Sequence, residues 1–426
     1  MVLKKQSKEE DVEYKVSQKT AEIMSELTGL NEVKQGLEFL KEDHQEAVKD
    51  QLEMVVIKAP TFFEQERAKY YCERLKGLGL EDVHIDEHCN VIGLKKGYGK
   101  GPAILIEAHL DTVFPLEVEI NPEIKDGKIY APGIGDDTRG LAAVLSVIRA
   151  LNTTKIKHSG DIYFAGTACE EGIGGLSGMR NLFSGPLGKK IDASISIDGS
   201  GADKITYNAT GIKTMVFNFY GIGGHAYGAF AKVANPLHAA ARAVAKIACL
   251  SVPANPKTTY SVSNFHAGND AGIHAITENA TIKINFRSNS SEELEKLEKA
   301  IIKSMEEACR EETEFWNQDT ITYDYDYLVD IPAGQQDINR SILQAAYLSM
   351  EHIGLKPVFT MDGCTNANIP VSLGLPAICI GRGGNEGGVH TTKEWFEIEG
   401  AYRCPQEVFL IALSVSGIEG VTASVL

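Results

Sequence analysis

The apolar positions of the first fifty residues follow a helical period. Val12, Val16, Ile23, Leu27, Leu30, Leu37 and Leu40 recur at steps of three, four and seven in a charged background, predicting helix over residues 1 to about 55. Gly29 and Gly36 weaken that pattern locally. A turn, KAPTF at residues 58–62, precedes a second helical stretch, EQERAKYYCERLKGLGL, which stops at Gly77 and Gly79. The period then changes. NVIGLKKG, PAILIEAHLD, DIYFAGTACEE and ASISIDG read as strands, and the last three are apolar enough to be covered on both faces. A helix from Thr138 to Asn152 lies between two of them. This order predicts an α/β fold: a mostly parallel sheet with helices on both faces, whose sites lie at the carboxyl ends of the strands.

After Gly211 the order is KTMVFNFYG (strand), NPLHAAARAVAKIACL (helix), TTYSVSNFHAG and ATIKINFRS (strands), SEELEKLEKAIIKSMEEACREE (helix) and DTITYDYDYL (strand). That β-α-β-β-α-β succession is the element order of a ferredoxin-like α+β domain. From about Val329 the α/β pattern resumes, with a helix over 337–353, strands PVFTM and PAICIG, and a C-terminal helix. The simplest organisation is one catalytic domain, residues 1–211 and 329–426, interrupted by an inserted domain at 212–328; residues 1–44 form an N-terminal helical extension. Gly97, Gly99 and Gly101 lie between two strands and predict a hairpin turn, not a phosphate-binding loop.

Composition narrows the partners. The 426 residues carry a formal charge of −16, which disfavours nucleic acid and anionic membrane surfaces. No window offers about 18 uninterrupted apolar residues and the N-terminus lacks an apolar leader, so no membrane segment and a cytoplasmic location are expected. The eight cysteines are scattered without a Cys-x-x-Cys pair and read as buried thiols.

Chemistry gathers at the strand ends. In His109-Leu110-Asp111, residues i and i+2 share a face, so Asp111 can back the His109 ring and strengthen it as a metal ligand. Asp136 and Asp137, in GIGDDTRG, suit a divalent cation, although either could cap the helix that follows. Glu170 and Glu171 close a strand; one can bind metal while the other stays free as a general base. Asp198 follows a buried strand, where an Asp-Gly turn is the alternative, and His390 lies in a glycine-rich loop. Two histidines and several carboxylates fit two cations sharing a bridging carboxylate. There is no Gly-x-Ser-x-Gly elbow and no His-Glu-x-x-His helix.

The ordered set AHLDTV (Ala108–Val113), GDDTRG (Gly135–Gly140), CEEG (Cys169–Gly172), SIDG (Ser196–Gly199), GGHAYG (Gly223–Gly228), NFRS (Asn285–Ser288) and GGVHTTKEW (Gly387–Trp395) resembles the dizinc metallopeptidase and aminoacylase family. That family includes peptidase T, carboxypeptidase G and succinyl-diaminopimelate desuccinylase, and the resemblance runs from about residue 45 to the C-terminus. It implies that Asp136 bridges two metals, with His109 and Asp198 completing one site and Glu171 and His390 the other. It further implies Glu170 as general base, Asp111 as the residue orienting His109, and a cis peptide between Asp136 and Asp137. His225 is expected to reach a partner subunit's active site, so a homodimer through the inserted domain is implied. Arg287 would hold a substrate carboxylate, and Asn366, Asn368 and Arg382 would line the pocket, with loop capping the competing account for the amides.

An Asp at position 198 resembles the aminopeptidase-type members, such as peptidase T. His274 stands where the family pattern has a substrate-contacting Asn, which opens the substrate question. The expected activity is hydrolysis of amide bonds in short peptides, with deacylation of N-acyl amino acids as the alternative and a non-catalytic binding relative as the third reading. The cofactors expected are two divalent ions, zinc or else cobalt or manganese.

Overall fold

A computed structural model describes residues 14–426. The central sheet has eight strands, in the order Glu81–Ile85, Val91–Lys95, Ile162–Thr167, Ile104–His109, Ala193–Ile197, Ala377–Ile380, Lys204–Thr206 and Val358–Thr360. The four strands from Ile162–Thr167 to Ala377–Ile380 run parallel, and an antiparallel hairpin extends the edge next to Ile162–Thr167. Alternation along these buried strands feeds two cores. Ile104, Ile106 and Ala108 join the larger core, with the helices Thr138–Thr154 and Arg403–Ser416, while Leu105 faces the opposite core, with Met179, Leu182 and Ile369.

The predicted N-terminal helix is three helices, Gln18–Gly29, Asn31–Glu42 and His44–Val55; the helix expected over residues 1–13, Val12 among them, lies outside the described residues. Leu30 and Asp43 separate them, Leu30 by leaving the helical region at ψ 137. The three do not form a detached extension. Leu27, Val33, Leu40 and Met54 are buried in the larger core, and Arg149 of the helix Thr138–Thr154 donates to Asp43 and Asp50 at 2.7–2.8 Å.

The second sheet is antiparallel, ordered Thr258–Ala267, Asn279–Ser288, Gly211–Tyr220, Thr322–Ile331. Pro236–Ile247 and Ser291–Trp316 pack on one face, so in chain order its strands lie 2-3-1-4, as the ferredoxin-like succession requires. A small four-stranded sheet, Glu386–Gly387, Trp395–Glu397, Lys128–Tyr130 and Glu123–Lys125, carries the His390 loop and was not foreseen; its strands are only two or three residues long.

The glycine run differs from the expected hairpin turn. Val91–Lys95 and Ile104–His109 are not neighbours, because Ile162–Thr167 lies between them. The glycines serve close backbone approach instead: a Cβ at Gly97 would lie 2.4 Å from the Ser159 carbonyl oxygen, and one at Gly101 2.1 Å from that of Ser416. Among the described residues no helix is long and apolar enough to cross a membrane.

Candidate metal centre

The parallel strands deliver their carboxyl ends to one place. His109 ends Ile104–His109, and the chain leaves Ile162–Thr167 through Cys169, at φ +56, which turns Glu170 and Glu171 inward. The Asp136–Asp137 peptide is cis. Asp137 caps the helix Thr138–Thr154, accepting from the Gly140 amide at 3.1 Å and from the His109 amide at 2.9 Å. Both readings of the acidic pair therefore apply, one to each residue, because Asp136 faces the site.

Asp136 lies between two imidazoles. Its Oδ1 is 2.9 Å from His109 Nε2, and its Oδ2 is 3.1 Å from His390 Nε2. His390 Nε2 also lies 2.9 Å from Glu171 Oε1. Donor atoms of His109, Asp136 and Asp198 lie within 4.8 Å of one another, as do those of Asp136, Glu171 and His390. A third set, His109, Glu170 and Glu171, meets the same limit, so proximity alone does not separate the two glutamates. Imidazole nitrogen and carboxylate oxygen are the donors that zinc, cobalt and manganese accept, so the residues present fit divalent cations.

The electrostatics are those of a crowded acidic site. Burial pushes the Glu170 carboxyl well up, and Asp198, Glu171 and Asp111 add to it. Burial opposes ionisation of Asp136 too, yet Arg382 and the two histidines hold it well below the usual carboxylate range. Hydrogen bonding to Asp136 and Glu171 pushes His390 up to about 10.

Asp111 does more than back the imidazole. Its carboxylate is 3.6 Å from His109 Nδ1, which meets the Asp111 carbonyl oxygen at 3.0 Å. The same carboxylate accepts the amides of Glu170 and Glu171 at 2.9 and 3.0 Å and the Thr61 hydroxyl at 2.9 Å. Asp111 thus fixes the backbone that carries both glutamates.

The expected pocket-lining residues are placed differently. Arg382 is 1 % exposed and is a counter-ion inside the acidic cluster, donating to Asp136 (2.7 Å), Asp137 (2.9 Å), Asp198 (2.5 Å) and Glu386 (2.7 Å). Asn366 is buried behind the site, where its amide bridges Glu107 (2.9 Å) and Thr167 (2.8 Å). Asn368 is buried and donates to the carbonyls of Thr210 and Pro332, which is the loop-capping alternative. Arg287 is exposed and touches none of the cluster. His225 lies on a two-stranded ribbon of the inserted module and His274 just before its second strand, where the Ala226 amide donates to the His274 carbonyl at 2.8 Å; neither side chain contacts the cluster of its own chain.

Several glutamates with buried carboxyls escaped the sequence reading, three of them around the cluster. Glu394 accepts the amides of Gly133, Gly135 and Asp136 at 2.8–3.0 Å and so shapes the loop that presents Asp136; burial raises it to about 7. Glu386 pairs with Arg382, and Glu107 receives Asn366 and Thr167. A signal existed for Glu107, the one charged residue within the apolar run AILIEA, on the same strand face as His109.

The fold sets divalent-cation donors at the carboxyl ends of a mainly parallel sheet with a ferredoxin-like insertion, and the family it matches is one of metal-dependent amide hydrolases. Residues 105–411 match the family described as Peptidase family M20/M25/M40, and the chain belongs to it. It is 29 % identical over 266 residues to succinyl-diaminopimelate desuccinylase from Burkholderia cenocepacia, covering 58 % of this chain and 69 % of that one. The fold superposes on aminopeptidase PepT from Bacillus cereus with a TM-score of 0.73 and 24 % identity, over 88 % of this chain and 99 % of that one. A tripeptidase from Staphylococcus aureus gives the same TM-score and identity, over 88 % and 98 %. Dependence on two metal ions is a property of the family, and a dinuclear metal binding peptidase from Bacillus subtilis is among its solved structures.

Proposed function

We propose that this protein is a peptidase acting on short peptides with a free amino group, using two divalent cations, zinc in the first instance. The observation that carries the reading is the placement of Asp136, whose two oxygens face different imidazoles, each in a separate set of donors. His109 and Asp198 would hold one cation and Glu171 and His390 the other, with Asp136 available to both. Such cations lower the pKa of a water and polarise the amide carbonyl.

The remaining chemistry belongs to the chain. Glu170, whose carboxyl burial makes a ready proton acceptor and carrier, takes the proton of the attacking water and passes it to the leaving amine nitrogen. Asp111 holds the Glu170 backbone in place. His225 of a second copy, brought by the inserted domain at 212–328, stabilises the oxyanion, and Arg287 receives a substrate carboxylate.

The aminopeptidase and tripeptidase likenesses support the peptidase reading, as does Asp at 198. The desuccinylase relatives favour one alternative, deacylation of N-acyl amino acids. Turnover of a panel of dipeptides, tripeptides and N-acyl amino acids, with bound metal measured on the same preparation, separates them. Hydrolysis of the peptides is expected; turnover of the acyl amino acids alone would replace the peptidase reading with the deacylase one.

A further inference from the structure

A cavity of about 260 Å³ opens between the inserted module and the catalytic sheet. The inserted module contributes Lys257, Thr259, Arg287 and Asn289, and the catalytic part contributes Asp362 and Cys364. Thr259 and Arg287 are cross-strand partners, and the Asn289 amide donates to the Lys257 carbonyl at 3.1 Å, continuing the ladder. Residues two apart on a strand share a face, so these four side chains project from one corner of the sheet.

The cavity adjoins the metal centre. Cys364 forms part of its wall, two residues before Asn366, whose amide bridges Glu107 and Thr167 on the two strands that end at His109 and lead to Glu170.

The cavity's charge is opposite to that of the chain, which carries −16 overall. Arg287 donates through Nε to Asn285 at 3.2 Å, and the rest of its guanidinium has no partner among the described residues. Lys257 is paired with Asp362, which also accepts from the Asn289 amide at 2.8 Å. Both partners of that ion pair are more than half exposed, at 61 % and 53 %, and exposed pairs contribute about 0–1 kcal/mol. An entering anion can therefore share or take the Lys257 ammonium at little cost. No large apolar side chain lines the space, and its volume is below the roughly 300–1,000 Å³ of a drug-sized ligand pocket.

We propose that Lys257 joins Arg287 in a two-cation subsite that selects substrates carrying a carboxylate at the end remote from the scissile amide. This rests on the amide-hydrolase reading and adds Lys257 as a residue that decides specificity. The carboxylate has two possible sources: the C-terminus of a peptide, or the far end of a dicarboxylic acyl group.

The test uses the metal-loaded full chain and two substrate pairs. One is trialanine against trialanine amide, and the other N-succinyl-alanine amide against N-acetyl-alanine amide. In one pair the anionic member should be preferred in kcat/KM, and that pair identifies the source. Lys257→Met should lower the preference about tenfold, through the KM of the anionic member. A preference unaltered by Lys257→Met, or none in either pair, overturns the subsite and leaves the hydrolase standing. Should neither pair be turned over, the hydrolase reading falls, and calorimetric binding of the same pairs decides the subsite. Discrimination that Lys257→Met removes supports it, and equal binding overturns it.

Discussion

Glu170 and Glu171 are adjacent and chemically identical, and their surroundings give them different work. Glu171 is engaged with His390 at 2.9 Å, whereas the Glu170 carboxylate has no hydrogen bond among the described residues and is left free to carry a proton. Glu170→Ala should keep both metals and lose kcat by about 10²–10⁴-fold, the usual contribution of a general base. Metal analysis beside steady-state kinetics checks this, and loss of metal would mean that the two glutamates exchange roles. Glu407 presents a different problem. It is fully buried in the helix Arg403–Ser416 with both carboxylate oxygens unpartnered, and burial, with Asp203 adding, holds its carboxyl well above the usual range. The folded protein thus binds a proton that the unfolded chain releases near its ordinary value of about 4.5, so this group's contribution is complete below that pH and is lost as pH rises. Glu407→Gln should raise Tm relative to the parent, by more at pH 8 than at pH 5. A gap of equal size at both pH values would show that the carboxylate is compensated.

At the scale of elements, the helical period of residues 23–40 was legible because those apolar positions pack into one core. Its division into three helices was not, since the breaks at Leu30 and Asp43 depend on how each piece lies against the sheet layer. Gly36 illustrates the difference. Sequence alone marks it as a weak helical position, which Ala would improve by about 1 kcal/mol. In the fold, a Cβ there would lie 2.5 Å from the ring of Phe409, itself fully buried. Gly36→Ala should therefore destabilise the protein, by about 1–3 kcal/mol through overpacking, despite its better propensity. Urea denaturation measures the sign, and a gain in stability would mean that the ring moves aside. The hairpin expected at Gly97–Gly101 failed for a related reason: local turn chemistry cannot tell that a distant strand, Ile162–Thr167, enters between its flanks.

At the scale of the molecule, the inserted module presents His225 on a ribbon that does not touch its own metal centre. Around it, Tyr227 is 90 %, Ile273 77 % and Ile222 63 % exposed, an apolar tip suited to burial against another surface. Sedimentation should find a dimer, and interface variants that dissociate it should lose activity together with His225→Ala. A monomer that remains fully active would rule out a role for His225 across subunits.

The sequence by itself determined the two-module α/β architecture and named the candidate ligands, because periodicity and ordered motifs are properties of the chain. Only the tertiary structure decided what each polar group is for. Asn366 became a strut and Arg382 an internal counter-ion, while Glu394 shaped the loop that presents Asp136. The physical reason is that a buried polar group is defined by its partners, and many of those partners lie about two hundred residues or more away in the chain.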